Sequence, residues 1–269
     1  MLSLAINNVL HHQGKDLWKY GAHDGRARRV AEFDGTGDYA IMDFFDDIEG
    51  ASSWTVSLWV NLPSEPVITQ YFFMHGDSIS SNPPFLQLGV GTTGGKKYFE
   101  LSDWHADETA DLLNDGDDSV DFTDSNYLNK WIHVILRWDK DTDSGKVQYM
   151  IDGSGSFAST TTSTTSDVPA MSGTEAQQRM TLASYYISAL GGSTGEMAVK
   201  ISELAMWRTR LEDDDCSLLA AGVNPLDISS VTLNHYWPLS ATGEDFGSAT
   251  TRDEADTTAE GDATFSGSV

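Results

Sequence analysis

Asp139, Asp141 and Asp143 stand at alternate positions ahead of Gly145. That spacing offers three hard oxygen ligands of the kind calcium takes. The twelfth position from Asp139, where a calcium loop places a bidentate glutamate, is Met150. The run therefore also reads as a polar hairpin turn in which Asp and Gly supply the turn geometry. A second chemistry is sugar recognition, in which an aromatic face stacks on a pyranose ring and polar side chains bond its hydroxyls. Trp59, Trp104 and Tyr127 are the candidate exposed aromatics, with His105 and Asp107 beside Trp104. Each of these aromatics also suits a core or a protein contact. A third group, Arg26, Arg28 and Arg29, is a local basic cluster fit to dock on an acidic partner.

Catalysis finds little footing. Glycoside hydrolysis needs two carboxyl groups flanking one bond, about 5–5.5 Å apart for retention. Glu254, Asp256 and Glu260 are acidic and near one another but lie in a hydrophilic stretch with no apolar alternation. Glu203 belongs to a good strand pattern, yet Ala205 stands where a paired carboxylate would be needed. The seven histidines form no cluster, and His133 on a strand reads as a structural residue. No nucleophile elbow, phosphate loop or zinc spacing occurs. The chain is expected not to be an enzyme.

The formal charge of −25, from 41 acidic and 16 basic residues, repels nucleic-acid phosphate and anionic membrane. Neither is expected as a partner, and no run is long enough to span a bilayer. Cations and neutral polar ligands remain. Such an acidic surface also suits a salty medium, where ions screen its self-repulsion. Cys216 is the single cysteine, so no internal disulfide forms, and it is expected to be a small buried apolar residue. Met1 to Tyr20 lacks a basic start, a long apolar core and a small-residue cleavage site, so no secretory signal is read there.

The elements that must position these residues are strands. Trp54, Val56, Leu58 and Val60 alternate with Thr55 and Ser57, and Ile132, Val134, Leu136 and Trp138 with His133 and Arg137. Ile135 makes the second face of that strand partly apolar, as expected inside a sandwich. Val147, Tyr149 and Ile151 form another set, and Val199, Ile201, Ala205 and Trp207 are expected on one face. Trp54, Trp131, Trp138 and Trp207 are expected in the core. Shorter strands are expected at 67–74, 85–90, 98–101, 180–186 and 233–239. One helix is expected over 212–221, with acids in its first turn, Gly222 as its stop, and Leu218 and Leu219 facing the sheet. Its acidic run reads as a solvated helix start rather than a metal site. Long loops are expected at 103–129, 153–169 and 243–261.

Four signatures occur in one order: Phe33-Asp34-Gly35-Thr36-Gly37-Asp38-Tyr39, Trp131-Ile132-His133-Val134, Tyr149-Met150-Ile151-Asp152-Gly153, and Ile201-Ser202-Glu203-Leu204 running into Leu211. From about Val30 to Gly222 the chain resembles the concanavalin A-like superfamily, in its laminin-G-like and pentraxin-like branch. The resemblance implies an all-β, two-sheet antiparallel jelly-roll sandwich with one short helix near 212–221. It also implies that loop carboxylates at one end of the sandwich can hold calcium, with Asp139, Asp141 and Asp143 as the local candidates. Asp34 and Asp38 are expected to hold their Gly-rich turn. His235 to Leu239 and Ala263 to Phe265 are expected to pair beside the N-terminal strands and close the sandwich.

Residues 1–28 are read as an arm or a first strand, and 29–269 as the jelly-roll domain. The function expected is a non-catalytic structural or adhesion protein of a virion, such as a phage decoration, fibre or tail component. Its partners would be other virion or surface proteins, or copies of itself, at a virion surface or otherwise outside the cell. A carbohydrate-binding lectin-like module, with or without calcium, is the alternative reading, and a glycoside hydrolase ranks last.

Overall fold

The computed structural model describes residues 30–42, 50–64, 70–75, 86–93, 96–103, 110–111, 128–151, 156–159, 166–168, 180–187, 192–239, 250–251 and 263–266. Residues 1–28, and with them Arg26 and Arg28, lie outside these, as do Arg29, Trp104, His105, Asp107 and Tyr127.

The strands in chain order are β1 (Ala31–Asp34), β2 (Tyr39–Met42), β3 (Ser53–Asn61), β4 (Gln70–His75), β5 (Leu86–Thr93), β6 (Lys96–Asp103), β7 (Ala110–Asp111) and β8 (Trp131–Asp139). There follow β9 (Gln148–Ile151), β10 (Ala158–Ser159), β11 (Met180–Leu182), β12 (Tyr185–Ile187), β13 (Gly192–Thr194), β14 (Ala198–Trp207), β15 (His235–Trp237), β16 (Thr250–Thr251) and β17 (Ala263–Ser266). One helix, α1 (Asp213–Ala220), and two single 3-10 turns, η1 (Asp143–Gly145) and η2 (Pro225–Asp227), complete the set among the described residues.

The strands form two large antiparallel sheets. The first runs β1-β14-β3-β8-β9-β10, with β15 also paired to β14; the second runs β16-β17-β2-β11-β4-β5-β6-β7. The expected two-sheet sandwich with one short helix is what the chain builds. Val56, Leu58, Val60, Val134, Leu136 and Trp138 from the first sheet meet Phe73, Leu88, Met180 and Leu182 from the second in one core. A smaller cluster lies on the outer face of the first sheet, where Ile135, Ala205, Trp207 and Tyr236 pack under Leu211, Cys216, Leu219 and Ile228. This second layer explains why β8 is apolar on both faces.

Several sequence expectations need correction. Val199 and Ile201 belong to the inner core, whereas Ala205 and Trp207 belong to the outer cluster. The cause is an irregularity between Ser202 and Ala205 in the pairing with β3, where Glu203 sits at φ +55°. One extra residue there reverses which face each later side chain takes. On α1, Leu219 is buried but Leu218 is 47% exposed, so only one of the two leucines faces the sheet. Trp54, Trp138 and Trp207 are fully buried as expected, while Trp131 is only partly so. The strand expected over 180–186 is broken by Ala183 at φ +61° into β11 and β12, which lie in different sheets. The two tail strands also part company, β15 pairing β14 and β17 pairing β2.

Candidate functional site

The pairing register sorts the connections to two ends of the sandwich. Asp34, Asn61, Trp131 and Ala198 mark the first end, and Ser53, Asp139 and Trp207 the second. In the other sheet, His75, Leu86, Asp103 and Met180 are in register with one another, a full strand away from Gln70, the residue at which β4 enters from the first end. Asp103, the residue before Trp104 in the sequence, thus stands at the second end. Tyr127 precedes Leu128 and Asn129, whose N–H donates to the Leu62 carbonyl at the first end. Asp103 and Leu128, the described residues beside these two groups in the sequence, thus stand at opposite ends of the sandwich.

Trp59 is not presented to solvent. It lies 3% exposed on the outer face of β3, its ring 4.4 Å from that of His133, opposite which it pairs. His133 in turn shares a 2.9 Å hydrogen bond between its Nε2 and the Ser57 hydroxyl. Trp59 is therefore a packing residue, and the expectation that it offers a stacking face is corrected by its burial. His133 takes the structural role expected for it.

The Asp139–Gly145 run forms the turn between β8 and β9 at the second end. Asp139 Oδ1 accepts the Asp141 N–H at 2.8 Å, a side-chain-closed turn. Asp143 Oδ2 lies 3.6 Å from the Arg210 guanidinium, and the Gly145 carbonyl accepts Trp138 Nε1–H at 3.0 Å. No three carboxylate, histidine or cysteine side chains converge on a possible metal position among the described residues. The donor set at this turn does not fit calcium: one carboxylate closes the turn and one faces a cation. Lys140 pairs with Asp167 at 2.8 Å, and that hydrogen bond pushes the lysine pKa up.

Asp34 and Asp38 do hold their turn. Asp34 Oδ1 accepts the Thr36 N–H at 2.6 Å, and Asp38 Oδ2 accepts the Asp34 N–H at 3.2 Å. Asp38 is buried, and loss of hydration pushes its pKa up from the ordinary carboxylate value.

A polar network under α1 escapes any reading of motifs. Arg137 is 2% exposed; its Nε donates to Gln148 Oε1 and its Nη1 to the Leu211 carbonyl, both at 2.8 Å. Its Nη2 meets Asp213 at 2.6 Å, and the guanidinium stands 3.5 Å over the Phe157 ring. Arg210 donates to the same Gln148 oxygen at 2.9 Å. The one signal in the sequence is a charged residue inside a strand apolar on both faces. Beside this network Cys216 is buried, and desolvation lifts its thiol pKa to about 11. The group welds α1 to the sheet and offers no reactive atom to a ligand.

Among the described residues, the second end carries the exposed Asp141 and Asp143 carboxylates, Ser144, and Asp103 at the end of β6.

Comparison with known proteins agrees with this architecture. The family model Laminin_G_3, of the concanavalin A-like lectin/glucanases superfamily, matches residues 34–216. Among solved structures, the heptameric SAP-like pentraxin of Limulus polyphemus superposes with TM-score 0.52 at 16% identity, covering 76% of this chain and 87% of the pentraxin. A proposed carbohydrate-binding protein from Bacteroides ovatus gives TM-score 0.55 at 17% identity. That match covers 88% of this chain and 59% of the Bacteroides protein, so the chain spans about three fifths of that neighbour's length. Among curated proteins no sequence matches. At such identities the likeness concerns the fold. With the family model covering most of its length, the chain belongs to the concanavalin A-like lectin/glucanase superfamily, as a laminin-G-like jelly roll.

Proposed function

We propose that the chain is a non-catalytic glycan-binding and adhesion module that works at the surface of an assembly, such as a virion, outside the cell. One observation carries this reading. The second end of the sandwich carries the exposed Asp141, Asp143 and Ser144 of the β8–β9 turn and also the β6 terminus Asp103, which Trp104, His105 and Asp107 follow in the sequence. An aromatic face with carboxylate and hydroxyl groups around it is the chemistry that holds a sugar by stacking and hydrogen bonds. No bond to the ligand is made or broken. The buried carboxylates Asp38 and Glu203 support the non-catalytic part, since one closes a turn and the other accepts a hydrogen bond from Tyr236 within the fold. The fold shared with a Bacteroides carbohydrate-binding neighbour is in keeping with this reading.

The test is binding to an array of bacterial and marine polysaccharides, repeated with a chelator. We expect binding that Trp104→Ala abolishes and Tyr127→Ala leaves intact, because the two attach at opposite ends. Silence across the array, or loss through Tyr127 alone, would sink the glycan reading. The virion setting is tested separately, by looking for the chain at symmetric copy number in purified particles; its absence there refutes that part alone.

A further inference from the structure

The described surface carries two large exposed hydrophobic side chains, Leu218 at 47% and Leu226 at 40%. They lie on consecutive pieces of chain. The helix α1 ends at Ala220, the Val223 N–H beyond it donates to the Leu218 carbonyl, and η2 begins at Pro225. Acids flank both leucines. Glu212, Asp214 and Asp227 are exposed, with Asp214 one turn before Leu218 on the same helix face. Asp213, Glu212 and Asp215 are turned to internal partners, Arg137, Arg210 and Ser230. The result is an apolar ledge rimmed by negative charge.

The chain itself contains a complement. Residues 1–29 hold five cations, Lys15, Lys19, Arg26, Arg28 and Arg29, against two carboxylates, Asp16 and Asp24. This segment is net positive within a chain of net charge −25, and it carries Leu2, Leu4, Ile6, Val9 and Leu10. Its point of departure is also defined. β1 pairs with β14 over 198–201 and β15 takes the same edge over 204–206, so Ala31, the first residue of β1, stands beside the Ser202–Glu203 bulge. Twenty-nine residues leaving that edge, extended at roughly 3.3 Å each, can reach well beyond their own domain.

We propose that the N-terminal segment of one copy docks on the acidic, leucine-bearing ledge of α1 and η2 in a second copy. The aliphatic residues of the segment cover Leu218 and Leu226, and its arginines face Asp214 and Asp227. Covering the leucines removes apolar surface from water, and the charges select the partner and its orientation. Because each copy offers one segment and one ledge, the contact is head-to-tail unless the pair closes on itself.

The experiment measures self-association of the full chain by sedimentation velocity at low and high salt. Four variants follow: Leu218→Ser, Asp214→Lys with Asp227→Lys, Arg26, Arg28 and Arg29 all to Glu, and the last two sets combined. We expect the full chain to associate, each separate variant to weaken association by about tenfold or more, and the combined charge exchange to recover part of it. High salt should weaken the native contact. A full chain that stays monomeric, or association indifferent to every variant, overturns the proposal. Circular dichroism screens each variant for folding, and Leu218→Ser, a change at an exposed position, keeps the test open if a charge variant misfolds.

Discussion

Tyr236 donates its phenolic proton to Glu203 Oε2 at 2.5 Å, joining β15 to the bulge of β14, and both side chains are buried. Glu203 holds φ +55°, a left-handed conformation that costs a non-glycine residue roughly 1–2 kcal/mol. The bulge it makes turns Leu204 and Met206 into the main core and Ala205 and Trp207 toward α1. The bond therefore secures the point at which one strand serves two clusters. Tyr236→Phe should destabilise the fold by about 1–3 kcal/mol, the cost of removing a donor from a buried acceptor. A cycle with Glu203→Gln, measured by urea unfolding, should show coupling between the two sites; additive effects would mean that the bond does not fasten the bulge.

Asp38 gives a dependence on pH. Its folded pKa is raised, chiefly by burial, so the folded state holds the proton more tightly than the unfolded chain does. The stability this contributes is complete below the unfolded value near 3.8 and is lost as pH rises through the raised folded value. Asp38→Asn keeps an oxygen for the Asp34 N–H but cannot ionise. Relative to the native chain, the variant should gain stability between pH 3 and pH 7. Thermal unfolding across that range checks it, and a flat difference would show that the carboxyl is not held out of water.

Two glycines are required by close approach. Gly35 has φ +82°, and a Cβ there would stand 2.8 Å from the Ala198 nitrogen. At Gly89 a Cβ would overlap the Gln70 carbonyl oxygen and lie 2.7 Å from Tyr71 Cα, beside the irregularity in the β4–β5 pairing. Alanine at either position should cost about 1–3 kcal/mol, whereas Gly50→Ala, with open space around it but φ +65°, should cost less than either. A loss at Gly50 equal to that at Gly35 would mean that backbone angle rather than crowding sets the cost there.

Arg137 should be irreplaceable by lysine. Its planar fork serves Gln148, Leu211 and Asp213 at once, which an ammonium cannot reproduce. Arg137→Lys is expected to cost about 3 kcal/mol and to loosen α1. Cys216 reports this: with its pKa near 11 and its side chain buried, it should resist a thiol reagent at pH 8 in the native chain and react faster in the variant. Equal protection in both would show that α1 is held without Arg137.

The β8–β9 turn should be indifferent to calcium. Asp141 is exposed and gives only its N–H to the turn, so Asp141→Asn should change stability by less than about 0.5 kcal/mol. Adding calcium should leave the difference in melting temperature between native and variant chains unchanged. A shift in the native chain alone would revive this turn as a metal site.

The layers were legible in the sequence because period-2 burial is local. Val56, Leu58 and Val60, or Val134, Leu136 and Trp138, declare their shared face without knowledge of any partner strand. The acids before α1 and Gly222 after it likewise mark the helix, since dipole and cap act within one turn. Tertiary structure alone decided the rest. Glu203 breaks the alternation of β14 because Tyr236, 33 residues onward, holds it there; Leu218 is left outside because only one side of α1 meets the sheet. Trp59 is interior because His133 pairs opposite it. Sequence sees neighbours along the chain, and these outcomes depend on neighbours across it.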